Sequence, residues 1–112
     1  MATYRNLFID QGSDFNVTID LNPIVGSLVL TNYTGRGQIR KTYNSSTKTD
    51  FTVTLDSVNK ELVCNITAAT TGLLKSGRYV YDLEILSPDT PSIITRVIEG
   101  QVDVTPRVTL GA

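Results

Sequence analysis

Residues 77–86, GRYVYDLEIL, decide the fold of this chain. Between Tyr79 and Ile85 every odd-numbered position is aromatic or aliphatic, while Asp82 and Glu84 occupy even-numbered positions. Successive side chains of a strand point to opposite faces of a sheet, so this period of two predicts a strand with one buried and one solvated face. Gly77 marks the turn before the strand, because glycine tolerates the backbone angles that turns require.

The same segment has the form of the sixth strand of an immunoglobulin-like sandwich. Such folds place a turn glycine and a corner tyrosine at the start of this strand, where Gly77 and Tyr79 stand. We therefore expect the Tyr79 ring to be buried and its hydroxyl to bond to nearby backbone. Tyr81 stands where antibody domains carry a disulfide cysteine. The single cysteine, Cys64, lies in an apolar alternation and is expected to be a buried core residue.

Most of the remaining chain also alternates between apolar and polar residues, and no helix-length window carries a sustained helical stripe. The predicted strands cover residues 5–10, 15–19, 37–43, 51–55, 62–66, 77–86 and 93–105. About seven strands with frequent turns predict an all-β, immunoglobulin-like, two-sheet Greek-key sandwich that forms one domain over residues 1–112. A small closed barrel is the alternative.

The connections between these strands are predicted from their turn residues. Residues 56–60 are expected to form a hairpin, and residues 44–48 a polar loop. Residues 27–34 are expected to form a loop with a minor strand or a single helical turn. Residues 68–75 have the length and composition of one helical turn, which would cross from one sheet to the other.

The last predicted strand changes phase along its length. Ile93 and Val97 occupy odd positions, whereas Val102 and Val104 occupy even positions. An extra residue in the strand would return both sets to the inward face, and Gly100 permits the backbone angles of such a bulge. We therefore predict a β-bulge near residues 99–100.

The charge of the chain is nearly balanced. Ten Lys and Arg against eleven Asp and Glu give a net charge of −1, and these residues are scattered. This distribution predicts neither nucleic-acid binding nor a basic membrane-binding face. The N-terminus lacks the basic start and apolar run of a secretory signal peptide, and no stretch approaches the roughly 18 apolar residues of a membrane span. We therefore expect synthesis in the cytoplasm without export and without a membrane partner.

Residues that could carry chemistry are few. The chain has no histidine, so Ser-His-Asp and Cys-His centres are excluded and a zinc site lacks its usual ligands. Asp82 and Glu84 share one face of their strand about 7 Å apart and are interpreted as outward surface residues. Asp10, Asp14 and Asp20 could gather around calcium, but their spacing lacks the pattern of a calcium loop. We expect no catalytic residue, no cofactor and no metal.

Tyrosines are the candidates for binding a sugar. Tyr33 and Tyr43 flank the third predicted strand and would lie near loops, where binding residues concentrate. Tyr4 is a third candidate. Packing of a tyrosine at a strand end is the competing interpretation. The GRG sequence at residues 35–37 lacks the remainder of a phosphate-binding motif and a following helix.

Four segments carry a resemblance when they are taken as a set. They are NLFIDQGSDF (residues 6–15), RGQIRKTY (36–43), ITAATTGLLKSGRYVYDLEI (66–85) and TRVIEGQVDVTP (95–106). Together they resemble small immunoglobulin-like virion proteins of tailed bacteriophages, especially contractile-tailed phages of cyanobacteria and other marine bacteria. A more distant similarity is to the N-terminal domain of phage baseplate upper proteins. The resemblance covers nearly the whole chain.

The resemblance implies a non-enzymatic structural role on the virion, through contacts with other virion proteins and with copies of the chain itself. Modules of this kind decorate capsids or form parts of the neck, tail, baseplate and fibre attachment. The resemblance places the fold signature at Gly77, Tyr79, Tyr81 and Gly100, together with Gln38, Arg40, Asp82, Glu84, Arg96 and Glu99. No shaft or receptor-binding region accompanies the domain, so the expectation is an adaptor, a decoration protein or a small tail component. Terminal segments and exposed edge strands are the expected contacts.

Two other functions remain open at this point. A carbohydrate-binding module for attachment to a host surface would need exposed tyrosines, with Tyr33 and Tyr43 as its ligand contacts. An enzyme would need a pocket in which several carboxylates converge.

Overall fold

The computed structural model describes residues 3–108, which form nine strands and two short helices. In chain order these are β1 (Thr3–Tyr4), β2 (Leu7–Asp10), β3 (Phe15–Asp20), α1 (Asn22–Val25), β4 (Thr34–Arg40), β5 (Lys48–Asp50), β6 (Thr52–Asp56), β7 (Glu61–Ile66), α2 (Ala68–Thr71), β8 (Gly77–Leu86) and β9 (Ile94–Thr105).

The strands form two sheets that pack face to face. In the larger sheet the order is β1-β9-β8-β4-β5, and β2 also pairs with β9; in the smaller sheet the order is β3-β7-β6. All pairings are antiparallel except those of β1 and β2, which run parallel to β9. The chain crosses between the sheets after β2, β3, β5 and β7. The predicted all-β, two-sheet sandwich is therefore confirmed.

The segment 77–86 forms β8, which lies in the larger sheet between β9 and β4. Tyr81, Leu83 and Ile85 are buried, as their alternation predicts. The Tyr79 hydroxyl donates a hydrogen bond of 2.7 Å to the carbonyl oxygen of Lys75, which confirms the tyrosine corner. The Tyr79 ring is half-buried rather than buried, because it lies at the end of the sandwich with the Lys41 ammonium 4.8 Å from its centroid.

Aromatic packing occupies the space between the sheets. The Phe51 ring lies 6.1 Å from the Tyr81 ring, nearly edge-on, and 6.3 Å from the Phe15 ring. These rings come from β8, from β3 and from the junction of β5 and β6, so they join the two sheets. Cys64 on β7 is fully buried, as predicted, and burial raises the pKa of its thiol to about 11. The core is held by packing in place of a disulfide.

The predicted bulge exists but lies elsewhere, so its predicted position at residues 99–100 was wrong. Leu83 pairs with Ile98 and Glu84 pairs with Arg96, which leaves Val97 as the extra residue of β9. Val97 and Ile98 are both buried. Two successive buried residues are expected at a bulge, because the extra residue brings the following positions back to the inward face. The phase change therefore falls directly after Val97.

Gly100 is required by a close approach rather than by the bulge. A Cβ atom at this position would overlap the Arg5 carbonyl oxygen and lie 3.2 Å from the Tyr81 ring. Arg5 donates its backbone N–H to the carbonyl of Glu99, and the Tyr81 hydroxyl donates to the Arg5 carbonyl oxygen at 2.5 Å. The predicted first strand is consequently divided into β1 and β2, with residues 5–6 passing over Gly100 between them.

Two other predicted strands have different bounds. The strand predicted over 37–43 begins earlier and ends earlier, as β4, and it includes Gly35 and Gly37 as inward positions with no room for a side chain. A Cβ at Gly35 would lie 2.7 Å from Val53, and one at Gly37 would overlap Leu83. The strand expected over 51–55 is preceded by β5, whose first residue had been assigned to a loop, and the chain changes sheets at Phe51 between β5 and β6.

The two helical turns give one correction and one confirmation. The expectation of a minor strand or helical turn within residues 27–34 was wrong, since the turn is α1, at residues 22–25, with Pro23 in its first turn. The turn expected within residues 68–75 is α2, and it connects β7 of the smaller sheet to β8 of the larger. The hairpin at residues 56–60 is also present, and it joins β6 to β7.

Candidate functional site

The three aspartates considered for calcium are each engaged locally. Asp10 accepts a hydrogen bond from the Thr105 hydroxyl at 2.8 Å, and Asp14 accepts one from the backbone N–H of Ala68 at 2.7 Å. Asp20 accepts hydrogen bonds from the side chain and the backbone of Asn22, which lower the pKa of its carboxyl. Asp14 and Asp20 flank the two ends of β3, roughly 20 Å apart. The structure does not bring the three carboxylates together.

The candidate tyrosines are likewise separated. Tyr33 precedes β4 and packs against the hydrophobic core. Tyr43 follows the other end of β4 and is 76% exposed. Because β4 is roughly 20 Å long, the two rings cannot form one binding surface. Tyr4, on β1, is also exposed and pairs in register with Glu99. Of the two tyrosines proposed as ligand contacts, Tyr43 alone presents its ring to solvent.

A depression beside Tyr43 lies on the outer face of the larger sheet. We call it the Tyr43 pocket; its volume is about 300 Å³, and it is lined by Gln38, Arg40, Tyr43, Val80, Tyr81, Asp82, Arg96 and Glu99. Three neighbouring strands place its polar floor, because Gln38 on β4 pairs with Asp82 on β8, which pairs with Glu99 on β9. The alternation of each strand directs these polar side chains outward.

Charged side chains in the Tyr43 pocket are partly paired with one another. The Arg96 guanidinium lies 3.3 Å from the Asp82 carboxylate and 3.0 Å from that of Glu99. Arg40 donates to the carbonyl oxygen of Tyr43 at 3.3 Å and forms no ion pair with any residue in the range 3–108. Partial burial raises the pKa of Asp82, and the nearby negative charge of Glu84 adds to this effect.

A second depression adjoins the first and shares Gln38, Arg40 and Asp82 with it. It adds a volume of about 500 Å³ to the groove. Its far side reaches the Arg36–Glu84 ion pair, whose nearest atoms are 2.8 Å apart. The prediction that Asp82 and Glu84 share the outward face is confirmed. Each carboxylate forms an ion pair with an arginine on a neighbouring strand. Cross-strand pairs of opposite charge stabilise a sheet.

A different kind of surface lies at one end of the sandwich. Three loops meet there: residues 21–33, 57–60 and 87–93. The Lys60 ammonium donates to the Gly26 carbonyl at 2.6 Å, which joins the first two loops. The third loop connects β8 to β9 beside the start of β4, where Leu86 pairs with both Thr34 and Ile94.

These loops and the first residue of β9 expose hydrophobic side chains at a common end, which we call the apolar loop end. It consists of Leu28, Val29, Val58, Ile93 and Ile94, all of which are exposed. The first loop, LNPIVGSLVLTNY, contains no charged residue over its whole length. That charge-free run was the signal available in the sequence, but its second half was interpreted as a loop with a minor strand or a single helical turn. The apolar loop end is apparent only in the structure, because the fold brings three separate segments of the chain together.

Within residues 3–108, neither helix is long or apolar enough to cross a bilayer. The same part of the chain holds no group of three or more acidic or cysteine side chains placed to bind a metal ion. No protein-family model matches the chain, and no curated protein shows significant similarity to it.

Proposed function

We propose that this protein is a non-enzymatic structural component of a bacteriophage virion. It would act as an immunoglobulin-like adaptor or decoration module of the capsid, neck, tail or baseplate, through contacts with other virion proteins and with copies of itself. The virion setting comes from the sequence resemblance. The observation that supports action through protein contacts is the apolar loop end.

The exposure of that end is unfavourable for an isolated chain in water. Val29 is 70% exposed, Val58 is 88% exposed and Ile93 is 65% exposed. Complete burial of a side chain of this size is worth about 1.5–3 kcal/mol. Burial of several such side chains by a partner would therefore offset the cost of association, which is several kcal/mol or more. Several exposed apolar side chains gathered at one end of a fold are typical of a protein-interaction surface.

The β5 edge of the larger sheet is a less favourable route to association. β5, at one edge of the larger sheet, has three residues and carries Lys48 and Asp50. Short edge strands with charged side chains discourage pairing with another strand. The terminal contacts expected from the sequence lie partly outside the described residues, at positions 1–2 and 109–112. The apolar loop end is therefore the contact surface of this proposal.

The test combines particle composition with a matched pair of variants. Virions encoding this chain would be purified and analysed by mass spectrometry, and the density of the chain would be located in a whole-virion map. We expect bound copies whose apolar loop end contacts a neighbouring subunit. The double variant Val29→Ser/Val58→Ser should reduce incorporation into particles at least about tenfold.

The control is Leu73→Ser, which removes a side chain of 85% exposure that follows α2 at the opposite end of the sandwich. Leu73→Ser should be incorporated normally. Virions that lack the chain, with all of it recovered as free monomer, would contradict the proposed function. If Val29→Ser/Val58→Ser and Leu73→Ser were incorporated equally, the apolar loop end would not be the contact surface.

A further inference from the structure

We propose that the Tyr43 pocket is a binding subsite for a neutral, hydroxyl-rich ligand, namely a saccharide unit. The pocket lies beside the loop that follows β4, whereas the apolar loop end lies beside the start of β4. Tyr43 is separated by the length of β4, about 20 Å, from the strand's start, whereas Arg96 on the far side of the pocket lies two residues from Ile94 of the apolar loop end. The substitutions that test the two surfaces, at Tyr43 and at Val29 and Val58, therefore lie in different loops.

The balance of charge in the pocket favours an uncharged ligand. Arg40 and Arg96 contribute two positive charges, and Asp82 and Glu99 contribute two negative charges. These charges cancel within a small area, so the pocket attracts neither an anion nor a cation through its net field. An acidic or basic ligand would place its charge beside a like charge as well as an opposite one.

The hydrogen-bonding groups favour hydroxyls. Guanidinium groups donate only, carboxylates accept only, and the Gln38 carboxamide does both. A ligand that meets all of them must present groups that donate and accept at neighbouring positions. A saccharide hydroxyl has this property, because it carries one donor hydrogen and two acceptor lone pairs.

Two arginines give the pocket fixed and unused donors. Arg96 is held between Asp82 and Glu99, so little of its conformational freedom remains to be lost on binding. Arg40 has five N–H donors, and the structure assigns one hydrogen bond to it, with the Tyr43 carbonyl. That bond also fixes the loop that carries Tyr43 beside the polar floor.

The Tyr43 ring supplies the remaining feature. Its 76% exposure leaves a flat apolar surface at the rim of a polar depression. The C–H face of a sugar ring is flat and weakly polar, so it can cover this ring while its hydroxyls reach the floor. The adjoining depression past Arg36 and Glu84 gives room for a second unit along the groove.

The experiment titrates the full chain with neutral oligosaccharides, using trisaccharides of glucose, galactose, mannose and N-acetylglucosamine, and follows backbone NMR shifts. We expect at least one of them to shift amides on β4, β8 and β9 around the pocket. Tyr43→Ala and Arg40→Ala should each weaken that binding at least about tenfold. Phe8→Ala is the control, because it removes an exposed aromatic ring that pairs in register with Asp103 and does not line the pocket, and its affinity should be unchanged.

Three results would overturn the inference: no shift with any neutral oligosaccharide, binding of acidic oligosaccharides alone, or equal affinity of Tyr43→Ala and the unaltered chain. Thermal unfolding of each variant would show that the fold is retained. Incorporation of Tyr43→Ala into virions is expected to be normal. A failure to bind saccharides would thus not contradict the assembly proposal. A failure of the chain to be incorporated into virions would likewise not contradict saccharide binding.

Discussion

Tyr81 allows the contribution of the aromatic core to be measured separately from that of a hydrogen bond. Its side chain is 4% exposed, its ring packs nearly edge-on against Phe51, and its hydroxyl bonds to the Arg5 carbonyl oxygen. Tyr81→Phe removes the hydrogen bond and should lower the free energy of unfolding by about 0.5–1.5 kcal/mol. Tyr81→Ala also empties the ring's volume and should lower it by about 3–5 kcal/mol.

The assay is urea unfolding at equilibrium, combined with hydrogen exchange of the backbone amides. Tyr81→Phe should increase exchange at Arg5, whose N–H bonds to the Glu99 carbonyl, because the hydroxyl fastens the junction of β1 and β2 to β9. Tyr79→Phe is the matched control, since it also removes one tyrosine hydrogen bond to a backbone carbonyl, at Lys75. It should cost a similar free energy without affecting exchange at Arg5.

Two results would refute this reasoning. A cost below about 1.5 kcal/mol for Tyr81→Ala would mean that the ring does not replace a disulfide as the link between the sheets. Unchanged exchange at Arg5 in Tyr81→Phe would mean that the hydroxyl does not hold the N-terminal strand.

Three further predictions concern other parts of the fold. Gly100→Ala should destabilise the protein by about 1–3 kcal/mol, because its Cβ would overlap the Arg5 carbonyl oxygen; a urea midpoint equal to that of the unaltered chain would contradict this close approach. Cys64, with a pKa of about 11 against an ordinary 9.0, should react with a thiol reagent at pH 8 at least about 100-fold more slowly when folded than in urea, and equal rates would contradict its burial. Hydrogen bonds lower the pKa values of Asp20 and Asp56, so their stabilisation is present above pH 3.8 and is lost as pH falls through the lowered values. Asp56→Asn should therefore be less stable than the unaltered chain at pH 6 and approach it at pH 2 in urea unfolding, whereas a constant difference would show that ionisation is not involved.

Much of the fold follows from local patterns in the sequence. The alternation from Tyr79 to Ile85 identifies a half-buried strand, and Gly77 and Tyr79 together identify the corner before it. These predictions succeed because side-chain alternation and turn chemistry depend on neighbouring residues. The burial of Cys64 follows in the same way, from its place in an apolar alternation.

The errors occur where distant residues determine the local structure. Gly100 was interpreted as a bulge, although it is needed because Arg5 passes over it. Gly35 was left outside a strand and Gly37 was placed at the start of one, although both lie inside β4 beneath side chains of other strands. A glycine is compatible with both a bulge and a close contact, and sequence alone does not distinguish them.

The features of the candidate surfaces also divide into those that follow from the local sequence and those that depend on contacts between distant residues. The outward direction of Asp82 follows from alternation, whereas sequence position left open whether Tyr43 packs at a strand end or is exposed. The grouping of Arg40, Asp82 and Glu99 around one pocket depends on the register of three strands, and the apolar loop end depends on three loops meeting. By itself, the sequence determined the fold class, the tyrosine corner and a core without a disulfide, because alternation and turns are local properties. Only the tertiary structure decided where the bulge lies and which side chains share a surface, because both depend on contacts between residues far apart in the chain.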